Sequence, residues 1–92
     1  MEYGDVFENH LGTGCRDGKG REIGYIVGLR DNGTDFRAYV QNARCAKAHQ
    51  WFEFGVQQRS KSFQSQAEAT RWAYATAHAR IANVRTQIGG AA

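Results

Sequence analysis

Two histidines and two cysteines have the strongest claim to chemistry. Four residues separate His10 from Cys15, and three separate Cys45 from His49. Together they would offer a zinc ion two imidazole nitrogens and two thiolates, a sensible tetrahedral set. Neither arm is a Cys-x-x-Cys, and Cys15 and Cys45 stand 30 positions apart. That spacing is a weak match to known zinc patterns, and a loop would have to bring the arms together, so no metal and no cofactor are expected. The run Gly12-Thr13-Gly14-Cys15-Arg16-Asp17-Gly18 has the look of a phosphate-cradling loop. A dinucleotide fingerprint needs its third glycine one position earlier, and a P-loop needs Gly-Lys-Ser/Thr where Gly18-Lys19-Gly20 stands. A flexible loop is expected, with Arg16, Lys19 and Arg21 free to touch phosphate without specificity. His10, His49 and His78 lie in unlike surroundings, and no carboxylate pair has a convincing spacing. A non-enzymatic protein with no small-molecule substrate is the expectation.

Period-two and period-3.6 patterns set the elements around these residues. From Arg21 the chain alternates: Ile23, Tyr25, Val27 and Leu29 share one strand face, with Gly24, Ile26, Gly28 and Arg30 on the other. Asp31-Asn32-Gly33-Thr34 carries the Asn-Gly hairpin signal. A second strand runs from Asp35 to about Asn42, with Phe36, Ala38 and Val40 inward and Arg37, Tyr39 and Gln41 outward. Ala43–Gln50 reads as a mixed polar connection. A third strand from Trp51 to about Arg59 turns Phe52, Phe54 and Val56 inward and Trp51, Glu53, Gly55 and Gln57 outward. Ser65-Gln66-Ala67-Glu68 is a capping box that opens a helix. Thr70, Tyr74, Ala77, Ile81, Val84 and Ile88 form its apolar stripe, widened by Ala69 and Ala73. Gly89-Gly90 ends it.

These readings predict an α+β fold: a three-stranded antiparallel sheet packed on one long C-terminal helix. Residues 1–20 form a Gly-rich N-terminal segment with room for a short extra strand, 21–60 the antiparallel sheet and 65–88 the helix, within a single domain at 1–92. A length of 92 residues supports one thin core, burying roughly 60–65% of the unfolded surface. With 41% hydrophobic and 23% charged residues the chain is foldable rather than disordered. No window approaches the ~20 apolar residues of a membrane span. The acidic start Met1-Glu2-Tyr3-Gly4-Asp5 lacks the apolar run of a secretory signal. A reducing, cytoplasmic compartment and no membrane partner are therefore expected.

The formal charge of +3 is unevenly placed. Up to Asp35 there are seven acids (Glu2, Asp5, Glu8, Asp17, Glu22, Asp31, Asp35) and four bases (Arg16, Lys19, Arg21, Arg30). Beyond it there are eight bases (Arg37, Arg44, Lys47, Arg59, Lys61, Arg71, Arg80, Arg85) and two acids (Glu53, Glu68). The second part therefore suits a polyanion, or a complex that carries one. Two surfaces remain unexplained by folding. On the open sheet face, aromatics interleaved with arginine suit base stacking, phosphate contact or a protein hot spot, unless Tyr39 and Trp51 merely shield each other as a cross-strand pair. On the outer helix, Trp72, Ala75, Ala79 and Ala82 form a smooth apolar strip, beside a row of Arg71, His78 and Arg85 at seven-residue spacing. The candidate partner-binding residues are Arg30, Arg37, Tyr39, Lys47, Trp51, Arg59, Lys61, Arg71, His78 and Arg85.

The run Phe63-Gln64-Ser65-Gln66-Ala67-Glu68-Ala69-Thr70-Arg71-Trp72-Ala73, after three strands, resembles the F-x-S/T-x-x-E-A-x-x-W motif of the arm-type DNA-binding domain of phage integrases. That resemblance implies a sheet entering the DNA major groove with a helix bracing it. The same end is similar to the last strand and helix of a double-stranded-RNA-binding domain, with Gln66-Ala67 in place of that family's lysine pair. In size and in its strand-strand-strand-helix order, the whole chain most resembles the small phage anti-CRISPR proteins, above all the type I-F inhibitors. Those inhibitors share no motif, so no functional residue carries over. The resemblance implies a non-enzymatic inhibitor in the infected bacterial cytoplasm. It would bind protein subunits of a crRNA-guided surveillance complex, and the guide RNA, and so block target DNA binding or hybridisation. Free DNA or RNA is the alternative partner.

Overall fold

The computed structural model describes residues 4–47 and 50–89, and its side chains over residues 4–42 and 59–87. Four strands, β1 (Asp5–Arg16), β2 (Glu22–Asp31), β3 (Phe36–Lys47) and β4 (Gln50–Phe63), precede one helix, α1 (Gln66–Gly89). The strands pair in chain order, each antiparallel to the next, and form a four-stranded meander with α1 packed on one face. The fold is α+β, as expected, and the extra N-terminal strand is a full twelve-residue edge strand rather than a short one.

β2 follows its alternation. Tyr25, Val27 and Leu29 turn toward α1 and join Ala38 and Val40 of β3 and Ala69, Ala73, Ala77 and Ile81 of α1 in one buried cluster. Burial of a side chain such as Leu29, fully enclosed, stabilises the fold by about 1.5–3 kcal/mol. The stripe that α1 buries is rotated from the predicted one. Ala69, Ala73, Ala77 and Ile81, spaced by four, form its centre. Tyr74 and Val84 sit at its margins, half-buried. Small alanines allow the helix to lie close to the sheet, and the bulky Tyr74 is displaced to the edge, where its ring stacks on Phe7 of β1 at 5.7 Å. Ser65 caps the helix as predicted, its Oγ accepting from the Glu68 N–H at 3.4 Å.

The glycine-rich segment forms β1, and the polar residues on its α1-facing side are satisfied. Phe7, Asn9, Leu11 and Thr13 alternate toward α1. Asn9 donates to the Tyr74 hydroxyl, and Thr13 Oγ1 donates to the Ile23 carbonyl at 2.9 Å. The turn that follows is ordered by Asp17, which accepts from the Lys19 and Arg21 N–H groups at 2.9 Å each and pairs with the Arg21 guanidinium at 3.2 Å. These bonds, the Arg21 N–H first, hold the Asp17 carboxyl below its ordinary range. The phosphate-loop appearance thus belongs to a β-hairpin whose carboxylate already occupies the local donors. Gly14 and Gly20 supply the positive φ angles that its bulge and turn require.

Between β2 and β3 the loop spans residues 32–35, closed by Asn32 N–H to the Asp35 carbonyl at 3.0 Å, with Gly33 at φ 88°. Further on, the predicted connection Ala43–Gln50 is not a loop throughout. Ala43–Lys47 continues β3 and Gln50 opens β4, with Lys47 opposite Gln50. Alanines and polar residues there conceal the pairing from any periodicity test. β4 also runs on to Phe63 rather than ending near Arg59. Its register shifts between the pairs Gln41–Gln58 and Ala43–Glu53. The shift inserts three extra residues on β4, and an odd insertion reverses a strand's alternation. The side chains of Trp51, Phe52, Phe54 and Val56 lie outside the described residues.

Candidate partner-binding surface

The sheet face away from α1 is built by cross-strand register. Glu8 on β1 faces Gly28 on β2, Gly28 faces Tyr39 on β3, and Tyr39 faces Ser60 on β4. The next row runs Asp5, Arg30, Arg37 and Ser62. Gly28 has no side chain, so the Tyr39 ring lies across it and its hydroxyl donates to Glu8 Oε2 at 2.7 Å. Burial, together with the adjacent Glu8 carboxylate, raises the Tyr39 phenol well above its ordinary range. At physiological pH Tyr39 is therefore a fixed donor.

Arg30 and Arg37 stand directly opposite each other on β2 and β3. Like charges at opposed positions repel. Asp5 offsets one of them, its carboxylate 3.2 Å from Arg30 Nε. Arg37, exposed, donates to the neutral Ser60 Oγ at 3.2 Å. One guanidinium of the pair is thus neutralised by a carboxylate, and the other is held in place with its charge uncompensated among the described residues. The two rows border a shallow depression of about 430 Å³, floored by Tyr39 and Gln41. Gln41 is itself buried. Such a face can hold a carboxylate or phosphate against Arg37 while its acidic margin meets a cation.

The structure brings Arg30, Arg37 and Tyr39 together and places the other candidates elsewhere. The register partner of Tyr39 on β4 is Ser60, so Tyr39 and Trp51 are not a cross-strand pair. Arg59 pairs with Val40 and Lys61 with Ala38, which sets both on the α1 side of the sheet. The Lys61 ammonium lies 5.5 Å from the Phe63 ring centre. The helical row is not a uniform basic strip. Arg71 is exposed, His78 stacks on Tyr74 at 6.3 Å, and Arg85 Nε donates to the Thr13 carbonyl at 2.7 Å, which ties α1 to β1. The strip around Trp72 is also narrower than expected. Trp72 is half-buried against Phe63 at 5.9 Å, while Ala75, Ala79 and Ala82 are exposed. The side chains of Lys47, Trp51 and Cys45, and all of His49, lie outside the described residues, and with them the His10/Cys15/Cys45/His49 set.

Asp5 and Glu8 are the site residues that sequence reasoning missed. Three apart, they would point to opposite faces of a regular strand. One extra residue at Val6 shifts the β1 register between Asp5 and Phe7 and delivers both carboxylates to the open face. The only sequence signal was the excess of acids before Asp35. Among the described residues, no helix is long and apolar enough to cross a membrane. Comparison with protein-family models, curated proteins and solved structures finds no match to this chain.

Proposed function

We propose that this chain is a non-enzymatic binding protein whose open sheet face docks on a protein surface within a nucleic-acid-containing assembly. Following its resemblance to the type I-F anti-CRISPR proteins, the assembly is a crRNA-guided surveillance complex. The consequence of docking is occlusion of target DNA. The observation that carries the reading is the division of labour between two opposed arginines. Asp5 neutralises Arg30, and Arg37 is left charged beside the fixed Tyr39 hydroxyl. A free duplex presents only phosphates to a docking face, and the carboxylates of Asp5 and Glu8 would oppose them. A protein partner presents both signs, and that is what a mixed face with an aromatic centre suits. Arg71 and Lys61, exposed near the helix start, remain available to nucleic acid carried by the same partner.

The test is binding of the purified chain to a type I-F surveillance complex and to free duplex DNA at two salt concentrations. Tight binding to the complex, with weak binding to duplex, is expected. The Arg37→Glu variant should weaken complex binding about tenfold or more, as loss of a desolvated hot-spot charge does. Binding of free duplex as tight as binding of the complex, with a steep salt dependence, would overturn the reading in favour of a DNA-binding module.

A further inference from the structure

A second basic site lies on the opposite side of the sheet. Two openings between α1 and the strands, of about 320 and 230 Å³, share Arg80 and Asn83. Arg80 is half-buried, its guanidinium 5.9 Å from the Tyr25 ring centre. Its Nη1 is buried and makes no hydrogen bond. A buried guanidinium donor without an acceptor is rare in a folded protein and calls for an explanation. The larger opening is also lined by Arg59 of β4 and by Thr76. No carboxylate of the described residues lines either opening. This differs from the open face, where Asp5 already neutralises Arg30.

We propose that this cleft binds a tetrahedral oxyanion dianion, in chemical class a phosphate monoester group, between Arg59 and Arg80. Two positive charges with no carboxylate of the described residues beside them match a dianion, whereas a carboxylate would leave one of them uncompensated. Guanidinium groups present planar forks of N–H donors that match phosphate oxygens. Thr76 and Asn83 add neutral donors for the remaining oxygens. Tyr25 supports the Arg80 guanidinium through a cation–π contact, and a turn about its last side-chain torsions brings the buried Nη1 to the anion. Arg59 faces this cleft because the β4 register sets it opposite the buried Val40. The proposal does not depend on the function proposed for the open face.

The test follows the arginine Nε–H signals of the full chain by NMR during titration with inorganic phosphate, sulfate and acetate. Saturable shifts of Arg59 and Arg80 with phosphate and sulfate are expected, at lower anion concentrations than any shift of Arg30 or Arg37. Acetate should bind about tenfold more weakly or worse, because it carries one charge. A nucleoside 5′-monophosphate should bind and its nucleoside should not. Arg59→Gln and Arg80→Gln should each weaken phosphate about tenfold. Arg59 is exposed, so its variant keeps the test decisive if Arg80→Gln fails to fold. Linear shifts of all arginines alike would mean an adventitious ion only and overturn the proposal. Acetate binding equal to phosphate, or unchanged affinity in both variants, would overturn it as well.

Discussion

Tyr39 lies across Gly28, and its hydroxyl reaches a carboxylate two strands away on β1. A Cβ added at Gly28 would overlap the phenol ring. One missing side chain therefore permits the contact that joins the edge strand to the centre of the open face. Gly28→Ala should displace Tyr39 and cost about 1–3 kcal/mol, the usual range for overpacking. In a Tyr39→Ala background the obstruction is gone, and the same substitution should cost less than ~0.5 kcal/mol. Urea titration of the four proteins of this cycle measures the coupling. Equal costs in both backgrounds would show that the ring does not occupy the space above Gly28.

Tyr39 also predicts an alkaline response. Its phenol titrates above the ordinary value of 10.0, so the folded state holds the proton more tightly than the unfolded chain. The associated stability is fully present below pH 10 and declines as pH rises from there toward the folded value. Tyr39→Phe should flatten that alkaline decline, seen by urea titration across pH 9 to 11. Absorbance titration of phenolate should lose its latest step in the same variant. Tyr25 shifts in the same direction through burial and provides a residual late component.

Arg85 and Arg71, both exposed and seven residues apart on α1, should behave differently. Arg85→Ala removes the donor to the Thr13 carbonyl and should cost about 1–2 kcal/mol, the lower part of the range for a charged hydrogen bond because the group is partly solvated. Arg71→Ala should change stability by ~0.5 kcal/mol or less. Thermal unfolding of the two variants decides whether the helical row is one surface or two kinds of residue.

The alanines beneath α1 hold it close to the sheet. Ala73→Leu places extra methylenes at a fully buried position and should cost about 1–3 kcal/mol. Leu29→Ala, which leaves a cavity on the facing strand, should cost about 2–5 kcal/mol. Denaturant titration checks both, and a neutral Ala73→Leu would place that position at the rim rather than the centre of the interface.

Much of the fold is legible because its signals are local. The alternation of β2, the Gly33 turn and the Ser65 cap each depend on residues within a few positions of one another. So the α+β class, the hairpin and the long helix follow from consecutive residues, as does the placement of Arg30, Arg37 and Tyr39 on one sheet face. β1 is harder to read because polar Asn9 and Thr13 stand on its α1-facing side, Asn9 exposed and Thr13 buried. Their polarity breaks the alternation, and only distant partners, Tyr74 and the Ile23 carbonyl, satisfy it.

The rest was decided by tertiary pairing. The extra residue at Val6 sets Asp5 and Glu8 on one face only because β2 offers the ladder against which a bulge is defined. The register shift in β4 turns Arg59 toward α1, which no property of its neighbours in sequence announces. Arg85 looked like one member of a basic row and serves instead as a tie to a carbonyl on the far edge strand. In each case the deciding energy is a hydrogen bond or packing contact between segments far apart in the chain. Periodicity records which residues prefer burial, whereas register and long-range pairing choose which neighbour each one meets.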